Sequence, residues 1–113
     1  MKDHTVYLAH IAESLERIAE YIQGGEEEFH RQTIIQDAVI RNLEIIGEAA
    51  KRVPDDMRDA HPSVPWKKLA GLRDILIHQY EGVDLGQVWR IADSVLPQLA
   101  VDIRAIIGTD SDG

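Results

Sequence analysis

Apolar residues recur every three or four positions along most of the chain, which places them on one face of an α-helix. The first such segment is predicted over residues 3–23 and ends at the pair Gly24-Gly25. Its apolar face consists of Leu8, Ile11, Leu15, Ile18 and Ile22. No segment shows the alternation with a period of two that marks a β-strand. The pattern therefore predicts an all-α protein.

A second helix is predicted from about residue 28 to residue 52, after an acidic trio at 26–28 whose charge suits a helix N-terminus. Asn42 falls in the middle of its apolar stripe, where another apolar residue is expected. Because a buried amide must form hydrogen bonds, Asn42 either fixes the register of helix packing or extends toward a functional site. The pattern leaves both interpretations open, and helix register is the more conservative of the two.

Prolines divide the rest of the chain into further helical segments. A short helix is predicted over 54–59 and a central helix over 65–79, separated by a proline-rich sequence. Asp84 and Gln87 have the spacing of a capping box, so the last helix begins there. Pro97 lies inside this last helix and predicts a kink or a break, because its nitrogen cannot donate a hydrogen bond.

Together these segments predict an up-and-down bundle of four main helices and one short helix. Residues 1–108 would form a single domain and residues 109–113 a disordered tail. The first helix carries charges among its apolar residues, which fits neither a signal peptide nor a membrane span. The absence of cysteine leaves neither disulfides nor thiolate metal sites. We therefore expect a soluble protein of the reducing cytoplasm.

The charge of the chain is unevenly distributed. Its formal net charge is −8, which argues against a protein that coats nucleic acid through general electrostatic attraction. Residues 51–80 nevertheless carry +2, so the rest of the chain carries −10. Such a basic block is compatible with a local phosphate site, and the acidic remainder suits a protein partner. A chance split is the alternative interpretation.

The central helix contains the feature that most needs an explanation, because Arg73, His78 and Tyr80 interrupt an apolar run at 72–80. Arg73 and His78 lie roughly 140° apart on an ideal helix, so one helix face cannot hold both. Asp74 is four residues before His78, and its carboxylate can orient the imidazole and increase its basicity. Either the helix loosens at His78, or the same segment of a second subunit completes the site. A second subunit is also expected because few positions of this helix are polar enough to face water.

An arginine, a histidine and a tyrosine suffice for RNA cleavage without a metal. The histidine removes a proton from a ribose 2′-hydroxyl, and the planar guanidinium holds the phosphoryl oxygens as charge builds. The tyrosine can hydrogen-bond the phosphate or stack on a base. The structural alternative is that Arg73 caps backbone carbonyls, that Asp74 and His78 form a satisfied pair, and that the tyrosine lies at the edge of the core. Spacing alone favours this alternative, because motifs this short recur by accident.

One glutamate-histidine pair, Glu27 and His30, has the spacing found in carboxylate-bridged metal sites of helical bundles. Such sites need two of these pairs and two further glutamates, and the chain contains only one pair. We therefore expect no metal. The acidic polar faces of the helices likewise argue against a membrane surface as the partner.

Residues 73–80, with the sequence RDILIHQY, match a pattern of arginine, four residues, histidine, one residue and tyrosine. This pattern resembles that of the HepT-like toxins in the HEPN superfamily. Residues 41–49 (RNLEIIGEA), 64–66 (VPW) and 69–72 (LAGL) resemble the same family. The likeness extends over roughly residues 5–107, and the motif, its flanks, the helix order and the length agree with one another.

The resemblance implies a helical homodimer whose two motif segments face each other across a cleft. It also implies a metal-independent endoribonuclease toxin that cleaves RNA, either tRNA or mRNA, without a cofactor. Arg73 and His78 would be the catalytic pair, and Asp74 and Asn42 would support them. Tyr80 would be the position to which a minimal nucleotidyltransferase antitoxin transfers AMP. The alternative is a non-catalytic helical module that only binds the nucleotidyltransferase.

Overall fold

The computed structural model of the chain describes residues 4–78 and 84–112. Over these residues it contains α-helices, one π-helical turn and no β-strand, which confirms the all-α class. The elements are α1 (His4–Tyr21), α2 (Glu26–Arg31), α3 (Thr33–Arg52), α4 (Asp55–Ala60), α5 (Trp66–His78), α6 (Leu85–Arg90), a π-helical turn (Ile91–Val95) and α7 (Leu96–Asp112).

The four main helices of the bundle are α1, α3, α5 and the continuous segment formed by α6, the π-helical turn and α7. α3 packs between α1 and α5, and α7 packs on α1. The short helix α4 connects α3 to α5, and α2 contacts both α3 and α6. This arrangement confirms the predicted bundle and places α5, which carries the motif, at one side of it. None of the described helices is both long enough and apolar enough to cross a membrane.

The core consists of the apolar faces predicted from the helical periodicity. The first helix contributes four buried residues of its predicted stripe, while the fifth, Ile22, is half-buried beyond the end of α1. Fully buried side chains of the three longest helices are Leu8, Ile11, Ile18, Val39, Leu43, Ile46 and Ile103. Burying a side chain of this size stabilises the fold by about 1.5–3 kcal/mol, so the packing of α3 against α1 and α5, and of α7 against α1, contributes much of the stability.

The single second helix predicted over 28–52 is wrong at its start, because the chain forms two helices that are separated at Gln32. The backbone of Gln32 is extended (φ −108°, ψ 104°). The break lets Phe29 reach the core, where it is 1% exposed and its ring lies 5.5 Å from that of Trp89. The amide of Gln36 donates to the carbonyl oxygens of Phe29 (3.0 Å) and His30 (3.1 Å). Carbonyls that the break leaves free are therefore satisfied from α3.

The last helix begins as predicted but accommodates its proline differently from a simple kink. The Asp84 carboxylate accepts a hydrogen bond from the backbone N–H of Gln87 at 3.1 Å, which confirms the cap. The π-helical turn immediately precedes α7, and Pro97 is the second residue of α7. Because α6, the π-helical turn and α7 are continuous, Pro97 lies inside a helical segment, and the wider turn before it, in which the N–H of Leu96 donates to the carbonyl oxygen of Ile91, accommodates the proline.

α7 ends four residues later than predicted. Its backbone is helical through Asp112, which extends past Gly108 into the segment expected to be a disordered tail. A Cβ built on Gly108 meets no described heavy atom within 4 Å. Glycine at this position therefore lowers helix propensity without ending the helix.

Candidate functional site

The structure describes part of the predicted motif. The backbone of α5 is α-helical through His78, so the separation of five residues places Arg73 and His78 about 7.5 Å apart along the helix axis. The helix therefore does not loosen before His78. The side chains of Arg73 and His78 lie outside the described residues, and so does Tyr80 altogether. Asp74 is described, and its side chain is exposed.

The packing of α5 determines which of its faces is presented to solvent. Leu69, Leu72 and Leu76 are buried and form the stripe that contacts the rest of the bundle. Asp74 lies on the opposite face of the helix, and the position of His78 falls on the same face, one turn later. The face that carries Asp74 and the histidine position is therefore directed away from the core of its own chain.

Asn42 is the described site residue whose environment is most informative. It is 5% exposed, in the part of α3 that the apolar periodicity assigned to the core. Its Nδ2 donates to the carbonyl oxygen of Ala38 at 2.9 Å, within the same helix. Its Oδ1 is buried and accepts no hydrogen bond from any described group. An unsatisfied buried acceptor costs about 1–3 kcal/mol, so contacts among the described residues do not explain the asparagine.

The helix that carries Asn42, α3, packs on α5 and leads into it through α4 and a compact turn. In this turn the carbonyl oxygen of His61 accepts hydrogen bonds from the backbone N–H of Val64 (3.2 Å) and from the indole N–H of Trp66 (3.0 Å). Asn42 is ten residues from the end of α3, and His78 is twelve residues along α5. At 1.5 Å per residue, Asn42 lies about 15 Å from the end of α3, and His78 lies about 18 Å from the start of α5.

A second group of polar residues, which the sequence did not predict as a site, lines an open cleft of about 520 Å³ between α1 and α3. In this cleft the Nε of Arg52 donates to the Glu48 carboxylate at 3.2 Å. Two hydrogen bonds of the Arg52 side chain raise its pKa: the one to the Tyr7 hydroxyl has the larger effect and the one to the Glu48 carboxylate the smaller. The four-residue spacing of Glu48 and Arg52 was visible in the sequence, but the contribution of α1 depended on the tertiary packing.

The charges of this cleft do not favour a phosphate ligand. Arg41 lies 3.9 Å from Glu44 and Arg52 lies 3.2 Å from Glu48, so each arginine already has a carboxylate near it. A phosphate would have to compete with both carboxylates. The cleft is therefore a weaker candidate for RNA chemistry than the exposed face of α5.

No cluster of three histidine or carboxylate side chains that could hold a metal occurs among the described residues. The metal-site spacing noted in α2 involves Glu27 and His30. The ion pair seen there instead joins His30 to Glu26, with 3.7 Å between Nε2 and Oε2.

The chain is similar to ribonucleases of one family. A family model described as "Ribonuclease HepT-like" matches residues 11–106. A "Probable ribonuclease HepT" from Thermococcus cleftensis is 43% identical over 87% of this chain and 90% of its own length. A "Putative RNase" from Caldanaerobacter subterraneus subsp. tengcongensis is 39% identical over 95% of this chain and 96% of its own length.

A longer relative contains a similar sequence as part of a larger protein. A Methanocaldococcus jannaschii protein named "Gamma-glutamylcyclotransferase and putative RNase" is 46% identical over 94% of this chain. This chain spans about half of that relative, 48% of its length. No solved structure matches the chain.

Proposed function

Because the chain belongs to the HepT-like ribonuclease family, we propose that it is a metal-independent endoribonuclease toxin. The observation that supports this most directly is the family match over residues 11–106, which includes the whole arginine-histidine-tyrosine motif. Relatives that cover nearly the whole chain carry the names "Putative RNase" and "Probable ribonuclease HepT". The substrate is RNA, tRNA or mRNA, and the reaction needs no cofactor.

In the proposed reaction, His78 and Arg73 act on one phosphodiester of the RNA. The imidazole of His78 takes the proton of a ribose 2′-hydroxyl, and the 2′-oxygen attacks the adjacent phosphorus. The guanidinium of Arg73 stabilises the charge that builds on the phosphoryl oxygens. The bond to the 5′-oxygen breaks, and that oxygen takes back a proton from the imidazolium. The products are a 2′,3′-cyclic phosphate and a free 5′-hydroxyl.

Asp74 and Asn42 support this pair in different ways. Asp74 is exposed on the same helix face as the histidine position, four residues before it, so its carboxylate can hold the imidazole in one orientation. Asn42 has a buried Oδ1 that accepts no described hydrogen bond, and its helix α3 packs on α5. The unsatisfied oxygen supports a role in the site rather than in helix register.

Two copies of the chain would complete the site. Arg73 and His78 diverge by roughly 140° on a backbone that is helical through His78, so one helix does not bring them onto one face. In a two-fold dimer, the motif segment of the second copy can supply the missing group across a cleft. Tyr80 is then the residue that a nucleotidyltransferase antitoxin modifies with AMP, which blocks the cleft with a phosphate and a nucleoside.

The proposed function is tested by RNA cleavage with purified protein in the presence of EDTA. We expect wild type to cleave, and Arg73→Ala and His78→Ala to lose activity by about 10²-fold or more. His10→Ala, an exposed histidine on α1, is the matched control and should cleave like wild type. A wild type that binds the nucleotidyltransferase without cleaving any RNA would instead support the non-catalytic module.

A further inference from the structure

Two lysines at the start of α5 place positive charge where it is unfavourable for the helix dipole. Lys67 and Lys68 are both exposed in the first turn of α5, which contains no acidic residue. Cations at a helix N-terminus oppose the helix dipole. No described carboxylate forms a salt bridge with either lysine, whereas Arg17, Arg52 and Arg58 each have a carboxylate partner. The two lysines are therefore available to a negatively charged ligand.

Gly71 lies one turn after Lys67 on the same face of α5. Glycine in a helix interior is disfavoured relative to alanine, so it normally has a packing reason. A Cβ built on Gly71 meets no described heavy atom within 4 Å, so contacts within the described chain do not require glycine here. A glycine at such a position allows another molecule to approach the helix backbone closely.

We propose that this face of α5 is an RNA track that leads the substrate to the motif. In this arrangement the RNA phosphates pair with Lys67 on this face and with Lys68 beside it, about 100° around the helix, and the strand passes over the bare backbone at Gly71 to reach His78. The distance from Lys67 to His78 is about 16 Å along the helix, the length of about five stacked nucleotides. The proposal rests on the proposed function. It adds the surface that binds the nucleotides of the RNA away from the phosphodiester that is cleaved.

The charge of the α5 face itself favours RNA over a second protein copy as the occupant. The surroundings are mixed, because Lys51 is exposed in the last turn of α3 and Asp55, Asp56 and Asp59 are exposed in α4. One copy of the α5 face offers only Asp74 as a carboxylate, which is too few to pair with the lysines of a second copy. A nucleic-acid backbone offers one negative charge per nucleotide, which matches several lysines in a row.

The first test measures the affinity for a fluorescent single-stranded RNA as a function of salt. Protein with the substitution His78→Ala is used so that the RNA survives the measurement. Adding Lys67→Gln and Lys68→Gln should weaken binding and reduce the slope of log K against log salt by about 1.4, since each phosphate contact contributes about 0.7 for single strands. Arg31→Gln and Arg104→Gln remove two exposed cations elsewhere and serve as the control. An equal loss in this control would overturn the proposal.

The second test uses the size of the side chain at position 71. Gly71→Ala should weaken RNA binding slightly and Gly71→Leu at least tenfold, while circular dichroism shows unchanged helix content. Sedimentation velocity of the same variants gives the oligomeric state. If Gly71→Leu changes the dimer fraction and leaves RNA affinity unchanged, a second copy occupies this face and the RNA track is wrong.

The two tests separate this inference from the proposed function. Wild-type protein that cleaves RNA, with an unchanged KM after Lys67→Gln and Lys68→Gln, would overturn the track alone. Wild-type protein that binds RNA through these lysines but cleaves none would overturn the ribonuclease and leave the track in place.

Discussion

Asn42 donates a hydrogen bond from Nδ2 to the carbonyl oxygen of Ala38, one turn earlier in the same helix, at 2.9 Å. An asparagine that fixes helix register needs a hydrogen bond to a neighbouring helix. The only hydrogen bond described for this side chain stays within α3, and its Oδ1 has no described donor. Among the described residues, the packing of the helices therefore supplies no partner for this buried polar atom.

Replacing Asn42 with leucine should separate function from stability. Asn42→Leu removes the unsatisfied acceptor, so we expect the free energy of unfolding to rise by about 1 kcal/mol. RNA cleavage should fall at least tenfold, because the substitution removes the oxygen that we propose for the site. Urea denaturation and a cleavage assay check the two expectations. Ser14→Ala, at a buried polar residue of α1, is the control and should cleave normally.

A different result for Asn42→Leu would restore the structural interpretation. Unchanged cleavage together with a loss of stability would mean that Asn42 contributes to packing alone.

The cap of the last helix should be worth about 1 kcal/mol of stability. Asp84 accepts a hydrogen bond from the N–H of Gln87 at 3.1 Å, and Asp84→Ala leaves that N–H without this partner. Asp84→Asn keeps a side-chain oxygen at the same position and should retain most of the stability. Thermal unfolding of the two variants compares them directly. A loss that is equal for alanine and asparagine would show that charge, rather than the cap, is what matters at this position.

Phe29 should anchor α2 to the rest of the bundle. It is 1% exposed and packs against Trp89, so Phe29→Ala is expected to lower the free energy of unfolding by about 3–5 kcal/mol. Hydrogen exchange followed by mass spectrometry should show the increase in exchange first in residues 26–31. His30→Ala removes the neighbouring, exposed ring and should change stability by less than about 0.5 kcal/mol. Uniform exchange across all helices would mean that α2 unfolds only with the whole domain.

The sequence predicted the features that depend on local rules and missed those that depend on tertiary contacts. The stripe of α1 and the cap at Asp84 follow from helical spacing and capping chemistry, and both were predicted correctly. The break at Gln32 was missed because the apolar spacing continues across it, and only the packing of Phe29 requires the turn. The residues of the site stay a prediction from the motif and its helix, and the unsatisfied oxygen of Asn42 became visible only in the packed bundle.

The chain contains three tyrosines, Tyr7, Tyr21 and Tyr80. Replacing each in turn with phenylalanine can therefore assign the predicted modification to one residue. Co-expression with a cognate minimal nucleotidyltransferase should increase the intact mass by one or more AMP units. The phosphate and nucleoside added beside the motif would block the RNA, so the modified protein should no longer cleave. Tyr80→Phe should abolish the mass increase, whereas Tyr7→Phe and Tyr21→Phe, in α1, should retain it. An increase that persists in Tyr80→Phe would place the modification elsewhere, and an unchanged wild-type mass would argue against this antitoxin mechanism altogether.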